Sequence, residues 1–271
     1  MTLPNVKSLT VILFASFVLS ACQPTSDTAI KATPSADNSS AQAPVSKSEA
    51  GQSTVNSTAP VTTETPAETT TTPVASSVNS QPITILALGD SLTEGLGVPA
   101  TDNYPAQLEA ALHKAGYPNV KVVNSGLSGE TSTGLVNRVN WALKTKPDIT
   151  ILTVGANDAM RGIDVPTIEA NIRTTIKALQ DNGSTVILGG MQIYDNLGNE
   201  YVAKFSDMYP RIAKDTGVAF IPFFLNGVAA DPNLNQADAI HPTKEGYAII
   251  VEKNILPVLE PVLKETVKEK N

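Results

Sequence analysis

The chain has 271 residues and a single cysteine, with 19 basic against 26 acidic side chains and a formal net charge of −7. That length accommodates one or two domains. One cysteine excludes an intrachain disulfide, and an acidic chain without a basic stripe argues against nucleic acid as a partner.

The first segment is not part of a fold. Lys7 precedes an apolar run over 9–19, shorter than the ~20 residues that cross a bilayer and of the length of a signal-peptide core. The run ends in Leu19-Ser20-Ala21-Cys22, which resembles a bacterial lipobox. Residues 1–21 are therefore read as a lipoprotein signal peptide, and Cys22 as the thiol that receives the lipid. Gln23 stands where Asp would signal inner-membrane retention, so the expected location is the outer membrane of a bacterial cell envelope, facing the periplasm. Ser, Thr, Ala and Pro dominate 22–80, as in "TTETPAETTTTPV", and no aromatic residue occurs there. Such a segment buries too little apolar surface to offset chain entropy. It is read as a disordered tether, and the 58 residues after the cysteine reach ~45 Å on average as a random coil.

Residues 81–271 amount to one domain, with 21 acidic against 16 basic residues. Short, nearly uninterrupted apolar runs at 83–88, 120–123, 149–154, 186–188 and 218–221 read as strands buried on both faces. Between them lie amphipathic stretches. "YPAQLEAALHKAG" carries Pro105 near its start and Gly116 at its end, a helix start and stop. "TGLVNRVNWALK", "PTIEANIRTTIKALQDNG" and "EYVAKFSDMYPRIAKDTG" follow, and "TKEGYAIIVEKNILPVLEPVLKE" closes the chain. Strand and helix alternate, which implies a mostly parallel five-stranded sheet in a flavodoxin-like three-layer α/β/α sandwich. Ligands in such sheets bind beyond the carboxyl ends of the strands.

The turn after the first strand, "GDSLTEGLG", carries two possible chemistries. Gly95-Leu96-Gly97-Val98-Pro99-Ala100 matches G-x-G-x-x-A, but a dinucleotide turn starts at the strand end and opens directly into a helix. Here the motif starts several residues late and contains Pro99. The second strand run is followed by Asn124 rather than by an acid for a ribose. The other reading is a nucleophile, because Ser91 follows the strand directly. A serine hydroxyl needs a base, and the domain offers two histidines. His113 lies near the end of a helix, where solvation explains it. His241 lies in "ADAIHPTKEG", with Asp238 three residues earlier. A carboxylate at that spacing in a turn accepts the Nδ1 proton and aims Nε2 outward, as a triad requires. Two further strand ends offer donors for an oxyanion: "NSGLSGE", with Gly126, and "GAND", with Asn157. Glu94, Leu92 and Tyr194 are candidate cleft residues. Two distant histidines and one cysteine do not build a zinc site, and no metal or cofactor is expected.

"GDSLTEG", "SGLSGET", "GAND" and "DAIHP", in this order, resemble the four blocks of the GDSL or SGNH hydrolases, and the resemblance covers 83–260. It is closest to bacterial periplasmic thioesterases, arylesterases and lysophospholipases, to which "NDAMRG", "MQI" and "YPRIAK" are also similar. The resemblance implies the SGNH hydrolase fold, Ser91 as nucleophile, His241 as base and Asp238 as its orienting acid. It also implies an oxyanion hole from the Ser91 and Gly126 amides and the Asn157 side chain. The expected function is hydrolysis of carboxylic esters or thioesters, lysophospholipids among them. The alternatives are a carbohydrate O-acetylesterase of envelope glycans and a non-catalytic envelope-binding lipoprotein.

Overall fold

The computed structural model describes residues 81–271. The leader, Cys22 and the tether read from the sequence lie outside the described residues.

Five strands, β1 (Ile83–Gly89), β2 (Val120–Gly126), β3 (Ile149–Thr153), β4 (Thr185–Gly189) and β5 (Ala219–Ile221), form one sheet in the order β2-β1-β3-β4-β5. Every pairing is parallel. The helices between them are α1 (Ser91–Glu94), α2 (Tyr104–Lys114), α3 (Ser132–Ala142), α4 (Ala156–Met160), α5 (Val165–Asp181) and α6 (Asn199–Thr216). After β5 come α7 (Lys244–Ile249), a π-helical turn (Ile250–Ile255) and α8 (Leu256–Lys270). Helices α3, α5 and α6 pack side by side, while α2 packs against β2 and α7, and α8 against β4 and β5. This is the expected three-layer sandwich.

The strands form because their apolar runs are covered on both faces. All five residues of β3 are buried, and in β1 only Thr84 is partly exposed. The edge strand β2 departs from the expectation. Lys121 and Asn124 are exposed, because a strand paired on one side meets solvent along its outer rim. It also runs to Gly126, beyond the apolar run, since pairing of Ala87 with Asn124 and of Gly89 with Gly126 continues the ladder. Tyr104 packs edge-on against Phe224 with ring centroids 5.3 Å apart, and Phe205 against Tyr209 at 5.4 Å.

The chain winds from β1 to β2 on one side, then returns across β1 to β3 and proceeds outward. The winding reverses at the β1/β3 boundary, where a crevice opens at the carboxyl ends of the strands. Ser91 stands at that point.

Candidate active site

Asp90 begins the site. Its side chain accepts the Leu92 N–H at 3.1 Å and caps α1, which satisfies one of the donors a helix start leaves over. Ser91 is the first residue of that helix, so its own N–H has no intrahelical acceptor. Gly95, with φ +86°, ends α1 after one turn. The strand end beneath is crowded. A Cβ on Gly89 would collide with the Thr153 carbonyl and with the hydroxyls of Thr153 and Thr93. Those two hydroxyls bond each other at 2.8 Å and stitch α1 to β3.

His241 arrives from the segment between β5 and α7. Its Nε2 lies 2.8 Å from Ser91 Oγ, and its Nδ1 lies 2.6 Å from Asp238 Oδ2. Asp238 Oδ1 accepts the Ile240 and His241 N–H groups at 2.9 and 3.0 Å. The turn places Ala239 at φ +60°, a conformation that costs about 1–2 kcal/mol in an L-residue. The surroundings hold it there. Gln236 N–H donates to the His241 carbonyl at 2.8 Å, and Gln236 Nε2 donates to the Leu96 carbonyl at 2.8 Å. The Tyr194 hydroxyl donates to the Ala239 carbonyl at 3.0 Å. With Nδ1–H donated to Asp238, Nε2 is the acceptor that faces the serine hydroxyl.

Asn157 lies in the first turn of α4, after β3. The preceding Gly155 has φ +120°, and a Cβ there would meet the Tyr209 hydroxyl, which donates to Val154 O at 2.8 Å. Asp158 is fully buried and accepts the Ser132 N–H at 2.8 Å and hydroxyl at 2.6 Å. So anchored, the Asn157 amide donates to Asp90 Oδ2 at 3.4 Å. The other amide hydrogen remains for the crevice. Asp90 is 2 % exposed, and burial pushes its carboxyl up to about 6, with the Leu92 N–H opposing.

The geometry departs from expectation at Gly126. Its N–H is donated to Asn124 Oδ1 at 2.9 Å, and Asn124 in turn donates to Glu94 O at 3.2 Å. That amide is occupied by the strand's own side chain. Three residues on, the Gly129 N–H has no acceptor among the described residues. Arg161 holds its carbonyl at 2.8 Å, and Glu94 accepts from the neighbouring Ser128 N–H at 2.6 Å and from its hydroxyl.

Behind the serine lies a pair that sequence reading missed. Glu130, 2 % exposed in its side chain, is ion-paired with Arg138. Arg138 donates to Glu130 Oε1 at 2.6 Å, to Ser125 Oγ and O at 2.8 Å, and to Gly89 O at 3.2 Å. It thus ties the carboxyl ends of β1 and β2 together beneath the site. Its sequence signal is weak, because Arg138 sits on an otherwise ordinary amphipathic helix. Among the expected cleft residues, Leu92 is buried, whereas Glu94 and Tyr194 are exposed at the mouth. His113 stands apart, its Nε2 2.7 Å from Val120 O. Among the described residues no cluster of three or more potential metal ligands occurs.

A parallel sheet with a serine, histidine and aspartate in one hydrogen-bonded series at its switch point defines a class of hydrolase, and sequence comparison agrees. Residues 87–249 match the model of the GDSL-like lipase/acylhydrolase family, and the chain belongs to that family of ester hydrolases. It is 34 % identical over 181 residues to Esterase TesA of Pseudomonas aeruginosa, covering 66 % of this chain and 89 % of that one. It is 31 % identical over 170 residues to thioesterase 1/protease 1/lysophospholipase L1 of Escherichia coli K12, covering 62 % and 80 %. Among solved structures, the psychrotrophic esterase EstA from Pseudoalteromonas sp. superposes with a TM-score of 0.63 at 27 % identity, over 67 % of this chain and 98 % of that one.

Proposed function

We propose that the domain hydrolyses small carboxylic esters and thioesters, lysophospholipids among them, through an acyl-enzyme on Ser91. The observation that carries this reading is the unbroken series Asp238–His241–Ser91, at 2.6 and 2.8 Å. His241 Nε2 takes the Ser91 proton as Oγ attacks the acyl carbon. The tetrahedral oxyanion is met by the Ser91 N–H, the free hydrogen of the Asn157 amide and the Gly129 N–H, the last in place of Gly126. His241 then protonates the departing oxygen or sulfur. Water, activated by the same imidazole, releases the acid. The names of the relatives support the substrate range. A lipid anchor on Cys22 in the outer membrane completes the proposal and rests on the leader motif.

The two histidines make the test direct. His241→Ala should abolish turnover of a chromogenic short-chain ester, and Asp238→Asn should lower it severely by favouring the wrong tautomer. His113→Ala should stay within a few-fold of wild type. The opposite ranking of the two histidine variants would overturn the assignment.

A further inference from the structure

Seven large apolar side chains stand exposed among the described residues: Trp141 and six others. The six are Leu96, Leu127, Met160, Tyr194, Leu197 and Ile240, between 39 % and 60 % exposed. Trp141, at the far end of α3, is the exception. Leu127 directly follows β2, and Met160 ends the short helix after β3. Tyr194 and Leu197 follow β4. Ile240 precedes His241, and Leu96 leaves α1. In a parallel sheet all these segments emerge at one edge, that of Ser91.

Hydrogen bonds join the segments into one rim. Glu94 holds Ser128 beside Leu127. Arg161, beside Met160, holds Gly129. Tyr194 holds Ala239 beside Ile240, and Gln236 of that same loop holds Leu96. Apolar side chains spread singly over a surface need no explanation, whereas a grouped set marks an interaction site.

We infer that this rim docks the mouth of the active site onto a lipid surface, so that acyl substrate passes from the leaflet to Ser91 without crossing water. The chain outside the described residues points to a leaflet as the occupant. It joins the domain at the start of β1, the edge opposite to Ser91. Fifty-eight residues separate Cys22 from the domain, and a flexible chain of that many residues averages ~45 Å end to end, comparable with the roughly 40 Å breadth of a domain of this size. A lipid-anchored chain of that length lets the far edge turn toward the membrane that holds it. The domain's excess of acidic residues makes apolar contact, rather than attraction to anionic headgroups, the driving term. The choice of a leaflet as occupant rests on the proposed anchor, while the grouping of apolar side chains at the rim does not.

The mature chain from Gln23 onward keeps tether and domain but lacks the lipidated cysteine. It should cosediment with phosphatidylcholine vesicles, and binding should persist at high salt. Leu127→Ser with Met160→Ser should weaken partition about tenfold or more, as the loss of two buried side chains implies. Trp141→Ser should leave it unchanged, and circular dichroism of each variant reports folding. No vesicle binding by the Gln23 chain would overturn docking, as would equal loss in Trp141→Ser. Rim-dependent dimers in sedimentation without vesicle binding would overturn it in favour of self-association. Failure of the anchor is read separately, from wild-type protein whose intact mass shows no lipid on Cys22, whatever the outcome of vesicle binding.

Discussion

Asp90 and Asp238 flank the same serine–histidine pair, and their surroundings drive them in opposite directions. The Asp238 side chain is 45 % exposed, and the hydrogen bond from His241, followed by the His241 N–H, holds its carboxyl at about 2. Its favourable contribution is present above the ordinary aspartate range and is lost only as pH falls through about 2. Asp90 is buried and titrates at about 6 instead of 3.8. The folded state then binds more protons than the unfolded one between those values, so stability falls as pH rises through that window. That difference corresponds to about 3 kcal/mol. A carboxylate kept at that cost orients the Asn157 amide. Asp90→Asn should therefore raise the melting temperature at pH 8 by several degrees and remove the fall between pH 4 and 6. It should also lower kcat by about 10²-fold, since the new amide turns Asn157 away from the oxyanion. Melting curves across pH and single-turnover acylation measure both. Unchanged acylation would refute the orienting role. Ser91 was legible from its place directly after the first apolar run, His241 from the scarcity of histidines, and Asp238 from its spacing to His241. The sequence did not show that the Gly126 N–H is taken by Asn124, on which the proposed choice of Gly129 rests, because a sequence does not show which amide is already bonded. Nor did it reveal the role of Asp90, because burial is a property of the assembled fold.

At the scale of elements, long runs were legible and short ones were not. Strand positions followed from apolar runs, and α5 from its amphipathic stretch beginning at Pro166, while its Asp164 cap emerged only in the structure. Helices α1 and α4, of four and five residues, carry no periodic signal and lie below the length at which a helix sustains itself. They exist because caps and tertiary packing hold them, and they carry Ser91 and Asn157. The Arg138–Glu130 pair was invisible for a similar reason, since its members acquire meaning only when β1, β2 and α3 meet. With Arg138 gone, Glu130 becomes a buried charge without a partner. Arg138→Met should therefore cost about 3–5 kcal/mol in urea unfolding. Adding Glu130→Gln should restore a substantial part. A loss below about 1 kcal/mol, typical of surface pairs, would show that the pair does not brace the strand ends.

Over the whole molecule, alternation of strand and helix was enough to predict the sheet, its direction and the edge where chemistry belongs. The reversal of winding at β1 and β3 then explains why three distant blocks of sequence meet there. Ser91 and His241 lie 150 residues apart in the chain, yet those two side chains touch at 2.8 Å. The central claim is that this contact makes Ser91 a covalent nucleophile. Reaction with a fluorophosphonate, followed by intact-mass and peptide analysis, tests it most directly. One adduct per chain is expected, on Ser91, formed at the rate at which ester turnover is lost, and far slower in His241→Ala. An adduct on another residue, or full turnover after Ser91 is blocked, would contradict it.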